Sequence, residues 1–142
     1  MSDKSTADLI ARLSERATLG LPGHLGLQVV DAERGRCELA MPLAEHHVAP
    51  NGYLHAGSVV TLADTACGFG CVVSLPTGAN GFTTIELKTN FLGTATQGTL
   101  HCVAKMEHGG SRTQVWDAIV YADDGKRIAL FRCTQMVLYP KG

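Results

Sequence analysis

Apolar residues recur at helical spacing near the start of the chain, at Leu9, Ile10, Leu13 and Ala17. Lying behind the capping candidates Ser5 and Thr6, they predict an amphipathic helix that ends near Gly20. Leu21-Pro-Gly breaks it. Two strand-like runs follow, 25–33 and 35–42, joined around Arg34-Gly35 and closed by Pro42. Residues 43–56, with His46, His47, Pro50, Gly52 and His55, read as a loop. The helical period then returns over 57–74, where Val59, Leu62, Ala66, Phe69 and Val73 form a core-facing seam in alternating three- and four-residue steps. A second stripe on this helix runs Gly57, Thr61, Asp64, Gly68, Cys71, small residues around one acid. Side chains that small would let another backbone or a slender ligand approach the carboxylate.

Past the Pro76–Gly81 loop, strand patterns lie near 82–92, 98–108, 112–122 and 127–139, separated by Gly93-Thr-Ala, Gly109-Gly110 and Asp123-Asp124-Gly125. The last of these is a strong hairpin signal. In the second run Leu100, Cys102, Ala104 and Met106 alternate with His101, Val103, Lys105 and Glu107, the period of a half-buried strand. Helix, two strands, long helix, four strands is an α+β order in which an antiparallel sheet can wrap one apolar helix. With 142 residues the chain is expected to be one domain, 1–142, in which 1–20 forms an N-terminal helical extension.

A net charge of −1, with Lys and Arg scattered among Asp and Glu, leaves no basic stripe for a nucleic acid. The polar N-terminus and the absence of any run near ~18 apolar residues predict a cytoplasmic protein with no membrane partner. Five cysteines, an odd number set mostly among apolar neighbours, read as buried free thiols. Cys67 and Cys71 have helical i,i+4 spacing, but no second ligand pair follows at zinc-site spacing, so no metal is expected. His46 and His47 beside Glu45 read as solvated. Trp116 and Phe91 read as core or interface, and Arg112 as a hairpin residue facing water.

The one carboxylate on the apolar helix needs an explanation. A buried Asp must find donors, shift its pKa, or line a cavity where chemistry happens. Asp64 lies nine residues after His55, and the loop-to-helix junction between them offers unpaired N–H groups that, with the helix dipole, suit a developing oxyanion. An acyl carbonyl held there would face attack by Asp64 or by a water it activates. On these residues alone, a structural carboxylate and a catalytic one are equally open.

Asn51-Gly-x-Leu-His55-Ala-Gly57-x(4)-Leu62-Ala-Asp64-Thr-Ala66 resembles the His-Gly-Gly…Leu-Ala-Asp motif of the hotdog-fold thioesterases, specifically the phenylacetate-degradation type within the 4-hydroxybenzoyl-CoA thioesterase superfamily. Thr84-x-Glu86-Leu-Lys-x-Asn90-Phe91-Leu-Gly-x-Ala95 is similar to that family's third strand, and Asp123-Asp-Gly125-Lys…Thr134 to its closing hairpin. The resemblance implies a hotdog fold, a curved antiparallel sheet around the long helix, with protomers joined edge to edge as a homodimer, further assembled to a homotetramer. It implies cofactor-free hydrolysis of an acyl-CoA to carboxylic acid and CoA at sites on the dimer interface. Asp64 would be nucleophile or general base. The backbone N–H of Ala56, with Gly57, would polarise the thioester carbonyl; His55 and Asn51 would position thioester and water; Thr84 from the facing subunit would orient that water or the carboxylate. Read without the resemblance, Asn51 is equally a turn residue, His55 a helix cap, and Thr84, alternating with Glu86 and Lys88, a surface position. The chain departs from the motif at Ala56, where the family has Gly. Two other readings are an acyl-CoA sensor on the same fold and a hotdog dehydratase acting on hydroxyacyl thioesters. Retention of Asp64 and the Leu-Ala-Asp placement disfavour them.

Overall fold

A computed structural model describes residues 3–142. Helix α1 spans Asp3–Arg16 and buries Leu13 in the core. Because the helix already includes Asp3, Ser5 and Thr6 lie inside its first turn and are not its cap. The expected break at Leu21-Pro-Gly is instead a short helix, α2, Gly20–His24. Gly20, at φ +59, makes the break, and Pro22 sits in a first turn where its missing N–H has no helical acceptor to lose. The left-handed Gly26 follows, so the first strand, β1 (Gln28–Glu33), starts later than the apolar run does.

Strand β2 (Arg36–Pro42) pairs with β1 through Gly35, at φ +82. A 3-10 turn at Glu45–His47 and a looped segment lead to the long helix α3 (Ala56–Val73). Strands β3 (Gly81–Phe91), β4 (Thr99–Gly109), β5 (Thr113–Tyr121) and β6 (Arg127–Leu138) complete an antiparallel six-stranded sheet of order β1-β2-β4-β5-β6-β3. This is the hotdog architecture, a curved sheet around one central helix.

The core lies between them. Leu39, Met41, Leu100, Cys102, Trp116, Val120 and Cys133 face Val59, Leu62, Ala63, Ala66, Cys67 and Cys71 of α3. The buried face of α3 is broader than the anticipated seam: Ala63, Cys67 and Gly70 join it while Phe69 and Val73 are half-buried, because a wrapped sheet touches more than one stripe. Gly70 admits the Trp116 ring, whose nearest atom would stand 2.5 Å from a Cβ there. By length and composition α3 could cross a membrane, contrary to the expectation from apolar runs, yet half of it is buried inside this protein as the core helix.

Strand β3 is an edge strand. Ile85, Leu87 and Phe91 on it are 51%, 43% and 49% exposed, an apolar edge of the kind that natural sheets cover or pair. One irregularity decides where its residues point. Thr84 pairs with Gln135 but Glu86 pairs with Thr134, so Ile85 is an extra residue, a β-bulge. Thr84 therefore does not share a face with Glu86 and Lys88. It lies on the helix side, in register with fully buried Gln135, whereas Glu86 and Lys88 pair with Thr134 and Arg132 on the outer side.

Candidate functional site

The loop before α3 is fastened to the core by a histidine. His47 is buried, not solvated as its neighbours Glu45 and His46 suggest. Its Nδ1 accepts the Ala44 N–H at 2.9 Å and its Nε2–H donates to the Leu25 carbonyl at 2.7 Å, a pairing that fixes the tautomer. The His47 carbonyl then accepts from the His55 N–H (2.9 Å) and the Ser58 hydroxyl (3.0 Å). One buried ring thus sets the entry of the chain into α3.

Between these anchors, Val48 and Leu54 form a bridge, closed by a turn in which Gly52 has φ +88. Asn51 Oδ1 accepts the Tyr53 N–H at 3.1 Å, the turn role open to it from sequence. The side chain is exposed at the mouth of the loop and is not hydrogen-bonded to Asp64.

His55 is the N-cap of α3, with φ −69 and ψ 131, and its Nδ1 accepts the Gly57 N–H at 2.8 Å. The neutral ring then carries its proton on Nε2. Gly57 eases this approach, since a Cβ there would stand 3.0 Å from His55 Nδ1 and the ring would have to give way. The same bond engages the Gly57 N–H. The Ala56 N–H, first of the helix, has no acceptor among the described residues. Ala56 has no positive φ, so this backbone makes no demand for the family's glycine. We predict that His55→Ala lowers stability by about 1 kcal/mol through loss of the cap, measured by denaturant unfolding.

Two turns on, Asp64 is partly buried, and its Oδ1 is a buried oxygen with no hydrogen-bond partner among the described residues. Burial raises its pKa above the ordinary 3.8. The small-residue stripe around it divides in two. Gly57 is exposed and Thr61 half-buried, whereas Gly68 is buried under the protein's own Phe82, whose Cζ would stand 2.9 Å from a Cβ there. The open half of the stripe is the half that carries Asp64, Thr61 and Gly57.

Thr84 is half-buried, and its hydroxyl donates to Gln135 Oε1 at 2.7 Å, not to Asp64. Sequence reasoning did not single out Gln135. Its signal was a polar residue in the apolar alternation Phe131, Cys133, Gln135, Val137. The thiols of Cys67 and Cys71 are buried on α3; burial raises Cys67 well above its ordinary value and Cys71 to about 12, so both stand protonated at neutral pH.

Residues 51–129, more than half the chain, match the thioesterase superfamily. The chain is 30% identical over 116 residues to the 1,4-dihydroxy-2-naphthoyl-CoA hydrolase of Listeria monocytogenes, a match covering 82% of this chain and 94% of that one. It is 28% identical over 109 residues to the acyl-coenzyme A thioesterase PaaI of Escherichia coli, covering 76% and 75%. Among solved structures, a variant of thioesterase PA1618 from Pseudomonas aeruginosa superposes with a TM-score of 0.85 at 26% identity, covering 91% of this chain and 93% of that one.

Proposed function

The chain belongs to the thioesterase superfamily and is a thioester hydrolase, and from that premise we propose that its substrates are acyl-CoA thioesters, cleaved to carboxylic acid and CoA by a water that Asp64 activates. The observation that carries this reading is the carboxylate itself: an unpartnered, partly buried acid on the open half of an otherwise small-residue stripe. A base with a raised pKa is better matched to proton abstraction near neutrality than an ordinary aspartate. The Leu-Ala-Asp placement supports the phenylacetate-degradation type, with Asn51 and His55 at the mouth of the site as contacts for the thioester.

Helix geometry supports a site shared between two copies. Asp64 lies eight residues after Ala56, about 12 Å along one helix. An oxyanion hydrogen bond, a carbonyl bond, the approach of water to carbon and the water's bond to a carboxylate reach roughly 10 Å only when laid end to end. Real bond angles shorten that span, and the Ala56 N–H points toward the helix N-terminus, away from Asp64, which offsets the backward lean of the Asp64 side chain. The donor at Ala56 and the base at Asp64 therefore act on one carbonyl when each comes from a different protomer, and the apolar free edge of β3 is the surface on which a second copy would seat.

The packing of Phe82 supports a place for Thr84 on the Asp64 side of its own chain. From the contact of Phe82 with Gly68, one turn back along α3 leads to Asp64 and two residues on along β3 lead to Thr84, each step about 6 Å. We assign Thr84 and Asp64 to the same protomer, in place of the facing-subunit role that the family likeness suggested for Thr84.

The test is a hydrolysis screen over aromatic, short and medium aliphatic acyl-CoAs with thiol detection, followed by mixing of Asp64→Asn with impaired Thr84→Ala protomers, recovery being read above the activity of the unmixed variants. Turnover on one acyl class and no recovery on mixing are expected. Recovered activity would place Thr84 across the interface. Tight acyl-CoA binding without turnover on every class would make the protein a binder and overturn the reading.

A further inference from the structure

Three buried side-chain polar atoms have no hydrogen-bond partner among the described residues: Asp64 Oδ1, Thr89 Oγ1 and Gln135 Nε2. Gln135 is the most enclosed of these residues, fully buried on the helix-facing side of β6 between the apolar positions Cys133 and Val137. Across the sheet it is in register with Gln114 of β5 and Thr84 of β3. Gln114 is satisfied at both ends, its Nε2 donating to the Ser74 carbonyl at 3.0 Å and its Oε1 accepting the Trp116 indole N–H at 2.7 Å. Gln135 is not. Its Oε1 accepts the Thr84 hydroxyl at 2.7 Å, and that is the bond it makes.

A half-satisfied amide in a core is unfavourable, and an apolar side chain of similar length would pack there without that penalty. What the amide provides is control of one proton. A threonine hydroxyl has a single hydrogen, so a Thr84 that donates to Gln135 can only accept from anything in the cleft. It cannot donate to the Asp64 carboxylate. It can accept one O–H of a water whose other O–H points at Asp64, and a water held at both protons turns its lone pair outward.

We propose that Gln135 is a positioning residue for hydrolysis: by taking the Thr84 hydroxyl proton it makes Thr84 an acceptor that, together with Asp64, aims the attacking water. This inference rests on the water-activated reading of Asp64. The water oxygen bonds to the thioester carbonyl carbon as Asp64 takes its proton. Collapse of the tetrahedral adduct breaks the C–S bond, and the proton leaves with the CoA sulfur, giving acid and free thiol.

The experiment is a cycle of Gln135→Met, Thr84→Ala and the double variant in the full chain, assayed on the best acyl-CoA of the screen. Gln135→Met should lower kcat on the order of 10-fold with KM unchanged, a loss the size of one hydrogen bond. Its melting temperature should equal or exceed that of the unsubstituted protein, the opposite of a merely structural role. In the Thr84→Ala background the substitution should lower kcat no further. Full kcat in Gln135→Met beside an impaired Thr84→Ala overturns the role of Gln135 alone, as does a Gln135 effect that persists in full without Thr84. Full kcat in Thr84→Ala, or turnover at the parental rate in Asp64→Asn, overturns the underlying mechanism. Should Gln135→Met not fold, Gln135→Leu removes the same acceptor and is read by the same outcomes.

Discussion

Asp64→Asn is expected to abolish most turnover and, at neutral pH, to make the protein harder to unfold. The amide is nearly isosteric but takes no proton, and removal of a general base typically lowers kcat by ~10²–10⁴. The gain in stability follows from the same carboxylate. Burial raises the Asp64 pKa above 3.8, so the folded state holds the proton more tightly than the unfolded chain does. Stability is then fully present below the unfolded value and is lost as pH rises through the folded one. At neutral pH the ionised, desolvated carboxylate exerts its whole unfavourable effect, and asparagine has no charge to desolvate. Thermal melts of the two proteins at neutral pH and near pH 3.5 measure the difference, which should shrink on acidification. A variant equal in stability to its parent at pH 7 would contradict the burial argument, and one turning over at the parental rate would contradict the mechanism. The acid limb of kcat in the unsubstituted enzyme should lie above pH 3.8 for the same reason.

The elements were legible where local chemistry and global packing agree. Gly35 and Gly125 both have the positive φ that their hairpins require, and the alternation through Leu100, Cys102 and Ala104 reports a strand packed on one face. The asymmetry of α3, apolar but for Asp64, makes the acid conspicuous in the sequence itself. What escaped depends on distant partners. The bulge at Ile85 turns Thr84 to the helix side, and a single inserted residue leaves no mark on a run as mixed as Thr83-Thr-Ile-Glu-Leu-Lys. His47 sits beside an exposed histidine and a glutamate, and its burial is set by Leu25, which lies 22 residues away. Gln135 was visible as a polar break in an apolar series, but its meaning needs the register that brings it opposite Thr84. The composite site we propose is argued from helix rise, which the sequence contains, yet only the bond from Gly57 to His55 leaves Ala56 as the free donor.

Ala56→Pro tests that donor. Proline removes the N–H and nothing else the fold uses, because Ala56 is the first residue of α3 and its N–H has no acceptor among the described residues. The preceding residue is already where proline requires it, with His55 at φ −69 and ψ 131. Folding and assembly should therefore survive, with a melting temperature equal to or above that of the unsubstituted protein. Loss of one oxyanion donor typically lowers kcat by ~10²–10³, and Ala56→Gly, which keeps the donor, should remain active. Mixing then locates the two halves of the site. If the donor and Asp64 come from different protomers, exchange of Ala56→Pro with Asp64→Asn subunits yields heterodimers with one intact site each. In an equal mixture with random pairing, about a quarter of all sites recover. No recovery despite demonstrated exchange would mean that donor and base act within one chain. A folded Ala56→Pro protein with full turnover would move the oxyanion to another donor, and the His55 Nε2–H is one that the cap leaves free.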